Sequence, residues 1–300
     1  MGIESHRHGN ETARRRWGLL ARALQNNNRS STTTTTTNSS SRNKDKFGER
    51  SNDKQDLISV RRISNFGLIT IIPIDSIEWF LYRVNNYEAK VKHLNLTLTP
   101  ENLMGFNNTG NVCVWPSEEV LAYYALANLS YFDGKKVLEL GAGMSALAGV
   151  YIAKYSACSL ITLTDGNQSS VDNIKDIVEE NNLDDKKVNC SLLRWGEVTD
   201  VSYDIILAAD CLFFDTTRKD LVHTMWHSMN KGGSGLVTAP RRGTTLDKFV
   251  EEASNCGFKY CVSDCYNQDI WKRHTELMRD CPYYDCDIHF PVFILLTKTL

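Results

Sequence analysis

The chain has 300 residues, 42% of them hydrophobic, and a formal net charge of −2. This balance is typical of an ordinary globular protein, and it excludes nucleic-acid binding through bulk positive charge. No apolar run approaches the ~20 residues that a membrane-spanning helix needs. We therefore expect a monomer with neither a nucleic-acid nor a membrane partner.

Residues 1–56 are polar and of low complexity, as in the run "QNNNRSSTTTTTTNSSSRNKDK". Such a composition has almost no apolar surface to bury, so it predicts a disordered tail. The start of the chain lacks the apolar core of a secretory signal, and the nine cysteines include no CxxC pair. We therefore predict reduced thiols, a location in the cytoplasm and nucleus, and no metal site.

Residues 57–112 are rich in strand signals. The stretch "ISVRRISNFGLITIIPI" alternates and is β-branched, and "HLNLTLTP" alternates strictly. The cluster "GFNNTGN" indicates a turn. We predict a small, partly antiparallel β-rich module ahead of a larger domain at 113–300.

Helical and strand patterns alternate through this larger domain. Helices are predicted at 117–130, 145–154, 169–181, 216–229 and 245–256. Strands are predicted at 136–140, 160–164, 187–193, 203–210, 235–238, 258–262 and 290–297. Such alternation predicts an α/β fold, a Rossmann-like seven-stranded sheet that is mostly parallel and has helices on both faces. The polar linker 264–289 predicts no full helical crossover, so the last two strands are expected to form a terminal antiparallel pair.

The first strand of this domain runs directly into glycines, in "VLELGAGMSALAG". Gly141 and Gly143 let the chain turn sharply and let a ligand touch the backbone. Both NAD(P)-dependent oxidoreductases and methyltransferases that use S-adenosylmethionine (AdoMet) have such a turn. Glu139 favours AdoMet, because a carboxylate suits its cationic amino group and would repel a pyrophosphate.

The next strands also end in residues suited to a nucleoside. Asp165, in "LTDGN", follows the glycines by about twenty residues, where a carboxylate can bind ribose hydroxyls. Trp195, in "LLRWGE", is positioned to contact an adenine. The fourth strand ends at Asp210, near the expected position of a departing methyl group. Phe213 and Phe214 follow it as aromatic walls for a lysine side chain.

These motifs, together with "VW" at Val114–Trp115, "APRRGTTLDKF" and "HFPVFILLTK", resemble the seven-strand AdoMet-dependent methyltransferases. They are most similar to the branch that methylates protein lysines. The resemblance covers residues 57–300, and at Phe213 this chain departs from the tyrosine of related enzymes. It implies AdoMet as the cofactor, without a metal, and trimethylation of a calmodulin lysine.

The resemblance also implies roles for individual residues. Asp210 and Phe213 are implied as catalytic residues, and Phe214, Arg241 and Arg242 as substrate-binding residues. The implied cofactor-binding residues are Trp115, Glu139, Gly141, Gly143, Asp165, Asn167, Trp195 and Ala209.

Several alternatives stay open on the sequence alone. The acceptor could be a lysine of another protein, a small molecule or a nucleic acid. An NAD(P)-dependent oxidoreductase would use the same glycine turn, although no Tyr-x-x-x-Lys pair follows the fourth strand. A protein that binds AdoMet or calmodulin without turnover is a further reading.

Overall fold

A computed structural model describes residues 65–74, 78–94, 113–212 and 215–299. The predicted tail at 1–56, most of "HLNLTLTP" and the pair Phe213–Phe214 lie outside the described residues. Within the described ranges, no helix is both long and apolar enough to cross a membrane. The nine cysteines are free thiols.

The β-rich stretch forms a three-stranded antiparallel sheet in the order β1-β2-β3. Its strands are β1 (Thr70–Pro73), β2 (Trp79–Val84) and β3 (Tyr87–Lys92). The boundary predicted at residue 112 stays a prediction.

The larger part of the chain contains seven helices and seven strands in the described residues. The helices are α1 (Pro116–Ala127), α2 (Leu147–Tyr155), α3 (Gln168–Glu180), α4 (Arg218–Ser228), α5 (Thr245–Cys256), α6 (Gln268–Asp280) and α7 (Cys286–His289). The strands are β4 (Lys136–Leu140), β5 (Leu160–Asp165), β6 (Val188–Leu192), β7 (Tyr203–Ala209), β8 (Met229–Ala239), β9 (Phe258–Ser263) and β10 (Val292–Lys298).

These seven strands form one sheet in the order β6-β5-β4-β7-β8-β10-β9. Strands β4 to β8 pair in parallel, whereas β10 runs antiparallel to both β8 and β9. The central strands β4 and β7 are almost wholly buried, as their unbroken apolar runs predict for a sheet covered on both faces. The predicted fold class and the antiparallel terminal pair are confirmed.

The linker 264–289 contains the full helix α6, which the sequence interpretation did not include, although the two strands that it joins are antiparallel neighbours and not a crossover pair. Asn267 caps this helix by accepting hydrogen bonds from the backbone N–H groups of Asp269 at 2.9 Å and Ile270 at 3.2 Å. The buried side chains Ile270, His274 and Leu277 recur at the spacing of one helix face. The other ten positions are polar except for Trp271 and Met278, so the buried face of this helix is narrow.

The small sheet shares its core with the larger fold. Tyr82 on β2 belongs to the same buried apolar cluster as Tyr151 on α2, and the Tyr151 hydroxyl donates to the Tyr82 carbonyl at 2.9 Å. Asn181, at the end of α3, accepts from the Lys90 N–H at 2.9 Å and donates to the Lys90 carbonyl at 2.7 Å. The strands β1 to β3 are therefore fixed against helices α2 and α3.

A buried glutamate fixes the segment that precedes β1. Glu119, in the first turn of α1, accepts four backbone N–H groups, those of residues 66–69, at 2.6 to 3.0 Å. Its carboxylate is 4% exposed. The start of α1 thereby connects the small sheet to the edge of the larger sheet where its parallel strands end.

Candidate active site

A cleft lies where the strand order reverses. Strands β4 and β7 are neighbours, but the chain leaves them towards opposite edges of the sheet, so a crevice opens at their carboxyl ends. The cleft is partly open to solvent, and its space, including this open part, is about 730 Å³. Its lining comprises Cys113, Val114, Trp115, Glu118, Gly141, Ala142, Gly143, Met144, Ser145, Asp165, Gly166, Leu193, Arg194, Trp195, Ala209, Asp210 and Cys211.

The glycine turn forms one wall of this cavity. Gly141 has a φ of +63° and Gly143 a φ of +60°, both in the left-handed region that favours glycine. A Cβ at Gly141 would lie 2.9 Å from Cys211 Sγ and 3.1 Å from Trp195 Cζ2, so a side chain there would collide with both. The turn therefore exposes bare backbone to the cavity.

Asp165 fixes the shape of this turn. Its Oδ2 accepts the Gly143 N–H and its Oδ1 accepts the Asn167 N–H, each at 2.9 Å. Burial raises the pKa of Asp165 to about 6. The Ser170 side chain and the Gly166 N–H also hydrogen-bond to this carboxylate, and all four hydrogen bonds oppose the rise in its pKa.

Asn167, which the resemblance implied as a cofactor contact, also has a structural role. It is the N-cap of α3, and its Oδ1 accepts the Ser169 N–H at 2.8 Å. It does not line the cavity. Trp115, Trp195 and Ala209, by contrast, all lie in the lining.

Glu139 also lies outside the cavity lining. Its side chain is 1% exposed, and its Oε2 accepts the Gly149 N–H at 3.0 Å beneath the first turn of α2. The carboxylate that faces the cavity next to it is Glu118, which is 6% exposed and accepts the Ala148 N–H at 2.8 Å. The sequence interpretation did not include Glu118, because an acidic residue in a first helical turn is usually explained by the helix dipole.

The two carboxyl groups are within hydrogen-bonding reach of each other. Burial raises the pKa of Glu118 to about 7. The pKa of Glu139 is raised well above its ordinary value, by burial first and then by the negative charge of Glu118. Both effects favour the neutral form of Glu139.

An ion pair joins the ends of β7 and β8 at the cavity. Arg242 donates two hydrogen bonds to Asp210, from Nη1 to Oδ1 at 2.5 Å and from Nη2 to Oδ2 at 2.9 Å. The side chains are 22% and 7% exposed, respectively. Both residues have positive φ angles, 45° for Arg242 and 53° for Asp210, which cost about 1–2 kcal/mol each. Such strain at a cleft is typical of functional residues.

Arg241 points to a different partner. Its Nη2 donates to both carboxylate oxygens of Asp264, at 2.9 and 3.1 Å. Both side chains are well exposed, at 41% for Arg241 and 48% for Asp264. The two adjacent arginines therefore have different partners: Arg242 pairs with the buried Asp210 of the cavity lining, and Arg241 pairs with a solvent-exposed aspartate.

The charge of the cavity lining is suited to a cation. The lining contains three carboxyl side chains, those of Glu118, Asp165 and Asp210, and one guanidinium, that of Arg194. AdoMet carries a sulfonium and an ammonium group, so the donor set fits it, whereas a pyrophosphate would meet like charge. Within the described residues, no group of three or more His, Cys, Asp or Glu side chains could hold a metal ion.

Comparison with known proteins gives a consistent result. Residues 95–255 match the family model described as lysine methyltransferase. The chain is 37% identical over 211 residues to the calmodulin-lysine N-methyltransferase of Arabidopsis thaliana, covering 66% of this chain and 69% of that protein. It is 30% identical over 165 residues to protein N-lysine methyltransferase METTL21A of Xenopus tropicalis, covering 52% and 73%. It is 32% identical over 123 residues to histone-arginine methyltransferase METTL23 of Homo sapiens, covering 39% and 63%.

Proposed function

We propose, given that this chain belongs to the lysine methyltransferase family, that it trimethylates a lysine of calmodulin with AdoMet as the methyl donor. The observation that supports calmodulin as the substrate is the similarity to the Arabidopsis thaliana enzyme, at 37% identity over 69% of its length. The acid-lined cavity at the reversal of strand order supports AdoMet as the donor.

AdoMet, when bound, supplies a methyl group activated by a sulfonium. The chain's task is then to bind and orient. We assign the glycine turn to close backbone contact, Asp165 to the ribose hydroxyls and Trp195 to the adenine. Positioning of this kind can supply much of the rate of an in-line displacement.

The acceptor lysine must lose its proton before it can attack. With a reference pKa of about 10.4, only about one amine in ~2,500 is neutral at pH 7. Burial at the cavity disfavours the ammonium form. Asp210 then accepts a hydrogen bond from the amine and holds its nitrogen in line, while Arg242 holds Asp210. Arg242 is thus a positioning residue in this proposal, in place of the substrate contact that the resemblance implied.

Arg241 is the better candidate for contact with an acidic substrate. Its pair with Asp264 is solvent-exposed, and exposed pairs contribute only about 0–1 kcal/mol. A carboxylate of calmodulin can therefore replace Asp264 at small cost. We expect Arg241→Gln to raise the KM for calmodulin several-fold and to leave the affinity for AdoMet unchanged. Lys186→Gln, an exposed change at the opposite edge of the sheet, is the matched control.

Intact-mass analysis of unmethylated calmodulin, incubated with the purified protein and AdoMet, tests the proposal directly. We expect successive increments of one, two and three methyl groups. Asp210→Asn is expected to lower kcat by at least ~10-fold while the Kd for AdoMet stays within about two-fold. Calmodulin that remains unmethylated, while the same preparation methylates another protein, would refute calmodulin as the substrate.

A lysine of another protein is the second candidate, favoured by the 30% identity to METTL21A. Tritiated AdoMet added to a cell extract, with and without excess calmodulin, separates the two candidates. Calmodulin should take up most of the label, and added calmodulin should compete with every other labelled protein.

A further inference from the structure

The paired glutamates beneath the glycine turn, Glu118 and Glu139, have different positions relative to the cavity, which the sequence motif does not indicate. Glu139 is the glutamate of the strand that enters the turn, yet it is 1% exposed and does not line the cavity. Glu118 comes from a different element, the first turn of α1, and does line it. Any ligand in the cavity therefore meets Glu118 first.

The hydrogen bonds of the pair assign a different state to each carboxyl group. The main-chain N–H groups of α2 satisfy one oxygen on each side chain, Ala148 on Glu118 and Gly149 on Glu139. The remaining oxygen of Glu139, Oε1, is fully buried and finds no donor among the described residues. Two adjacent carboxylates cannot satisfy each other, because neither carries a proton to donate. A proton on Glu139 satisfies Oε1 by donating to Glu118.

The electrostatics of the surroundings agree with this assignment. Burial raises the pKa of the Cys211 thiol, and the charges of Asp210, Asp165, Glu118 and Glu139 raise it further, so these four carboxyl groups share one region. Burial and the charge of Glu118 raise the pKa of Glu139 well above its ordinary value. With Glu139 neutral, Glu118 is the carboxyl group that faces the cavity, and a cationic ligand there favours its ionised form.

We propose that Glu118, and not Glu139, is the carboxylate that binds the cationic amino group of AdoMet, and that Glu139 is a protonated positioning residue that donates a hydrogen bond to Glu118. This inference rests on the proposed binding of AdoMet in the cavity. It assigns specificity for the amino acid end of the cofactor to a residue of α1, outside the glycine motif.

Two isosteric substitutions test the assignment against each other. Glu118→Gln removes the anion, and Glu139→Gln keeps a neutral donor; each amide oxygen can still accept its α2 N–H. The probes are S-adenosylhomocysteine, which has the amino acid end, and methylthioadenosine, which lacks it. We expect calorimetric titration to show that Glu118→Gln raises the Kd for S-adenosylhomocysteine about 10- to 100-fold. The Kd for methylthioadenosine should rise less than two-fold. Glu139→Gln should change neither Kd by more than about three-fold.

Asp165→Asn is the control. Both probes contain the ribose to which Asp165 is assigned, so this substitution should weaken the binding of both equally. The inference would be overturned if Glu139→Gln raised the Kd for S-adenosylhomocysteine more than Glu118→Gln does. It would also be overturned if Glu118→Gln raised the Kd of both probes equally. If the wild-type protein and Glu118→Gln bind S-adenosylhomocysteine equally well, the inference is wrong but the proposed function still stands. Wild-type protein that does not bind it overturns the proposed function as well.

Infrared spectroscopy gives a readout that does not depend on ligand affinity. At pH 8 the carbonyl stretch of a protonated carboxyl group should be present in the wild-type protein. It should disappear in Glu139→Gln and persist in Glu118→Gln, or in Glu118→Asp if the Gln variant does not fold. The opposite pattern, or no such band in the wild-type protein, overturns the inference.

Discussion

Replacing Glu119 by alanine removes the anchor of residues 66–69. Four backbone N–H groups lose their acceptor, and two of them, on Phe66 and Ile69, are buried. A buried donor left without a partner costs about 1–3 kcal/mol, so two cost about 2–6 kcal/mol, while water can reach the other two. Burial also raises the pKa of Glu119, so desolvation offsets part of the gain. We expect Glu119→Ala to lower the free energy of unfolding by about 2–4 kcal/mol.

Urea unfolding measures this change, and hydrogen exchange locates it. The amides of residues 66–69 should lose protection before the central strands do, because their anchor is local. Glu179→Ala, on the exposed face of α3, is the control and should change stability by less than about 0.5 kcal/mol. Glu119→Ala with the stability of this control, or with unchanged protection at 66–69, would refute the reasoning.

Three further outcomes are expected. Gly149→Ala places a Cβ against Leu163 and the carboxylate of Glu139, so it should cost about 1–3 kcal/mol and weaken S-adenosylhomocysteine binding. Gly134→Ala is the control: its Cβ meets nothing within 4 Å, but its φ of +71° strains an alanine, so only the melting temperature should fall. Equal affinity of Gly149→Ala and Gly134→Ala for S-adenosylhomocysteine would contradict this expectation. Because the folded-state pKa of Asp165 is raised to about 6, the folded protein binds more protons between pH 4 and 6, and this residue's contribution to stability falls as pH rises. The unfolding free energy of wild type minus that of Asp165→Asn should therefore fall by about 2.4 kcal/mol from pH 4 to 7 in urea titrations. A difference that does not change with pH would contradict the raised pKa of Asp165. Raising the salt concentration should raise the KM for calmodulin more than the Kd for AdoMet, and equal effects would argue against an electrostatic substrate contact.

The sheet is predictable from the sequence because its strands carry strong local signals. The strand at Lys136–Leu140 and the helix at Thr245–Cys256 lie at the predicted residues, since an apolar run before glycine and a capped amphipathic run are both sharp patterns. The strand ends then converge by topology alone. Seven implied residues lie around one cavity: Trp115, Gly141, Gly143, Asp165, Trp195, Ala209 and Asp210.

The remaining features depend on contacts between residues far apart in the chain. Nothing local distinguishes Glu118 from Glu119, yet one faces the cavity and the other binds a segment about fifty residues earlier. The pairing of Asp210 with Arg242 spans 32 residues and two strand ends. Helix α6 was missed because its apolar face is narrow. In each case the deciding partner is supplied by the tertiary fold, and a sequence pattern does not contain it.

The position of β10 constrains the order in which the sheet can be completed. Strand β9 pairs only with β10 among the described strands, and β10 lies between β8 and β9. During synthesis β9 therefore leaves the ribosome before its partner strand exists. This edge of the sheet stays unpaired until residues 292–298 have been made. A nonsense mutation shortly before them would remove β10 and leave β9 without a neighbour, so the loss of a few residues would disrupt two of the seven strands.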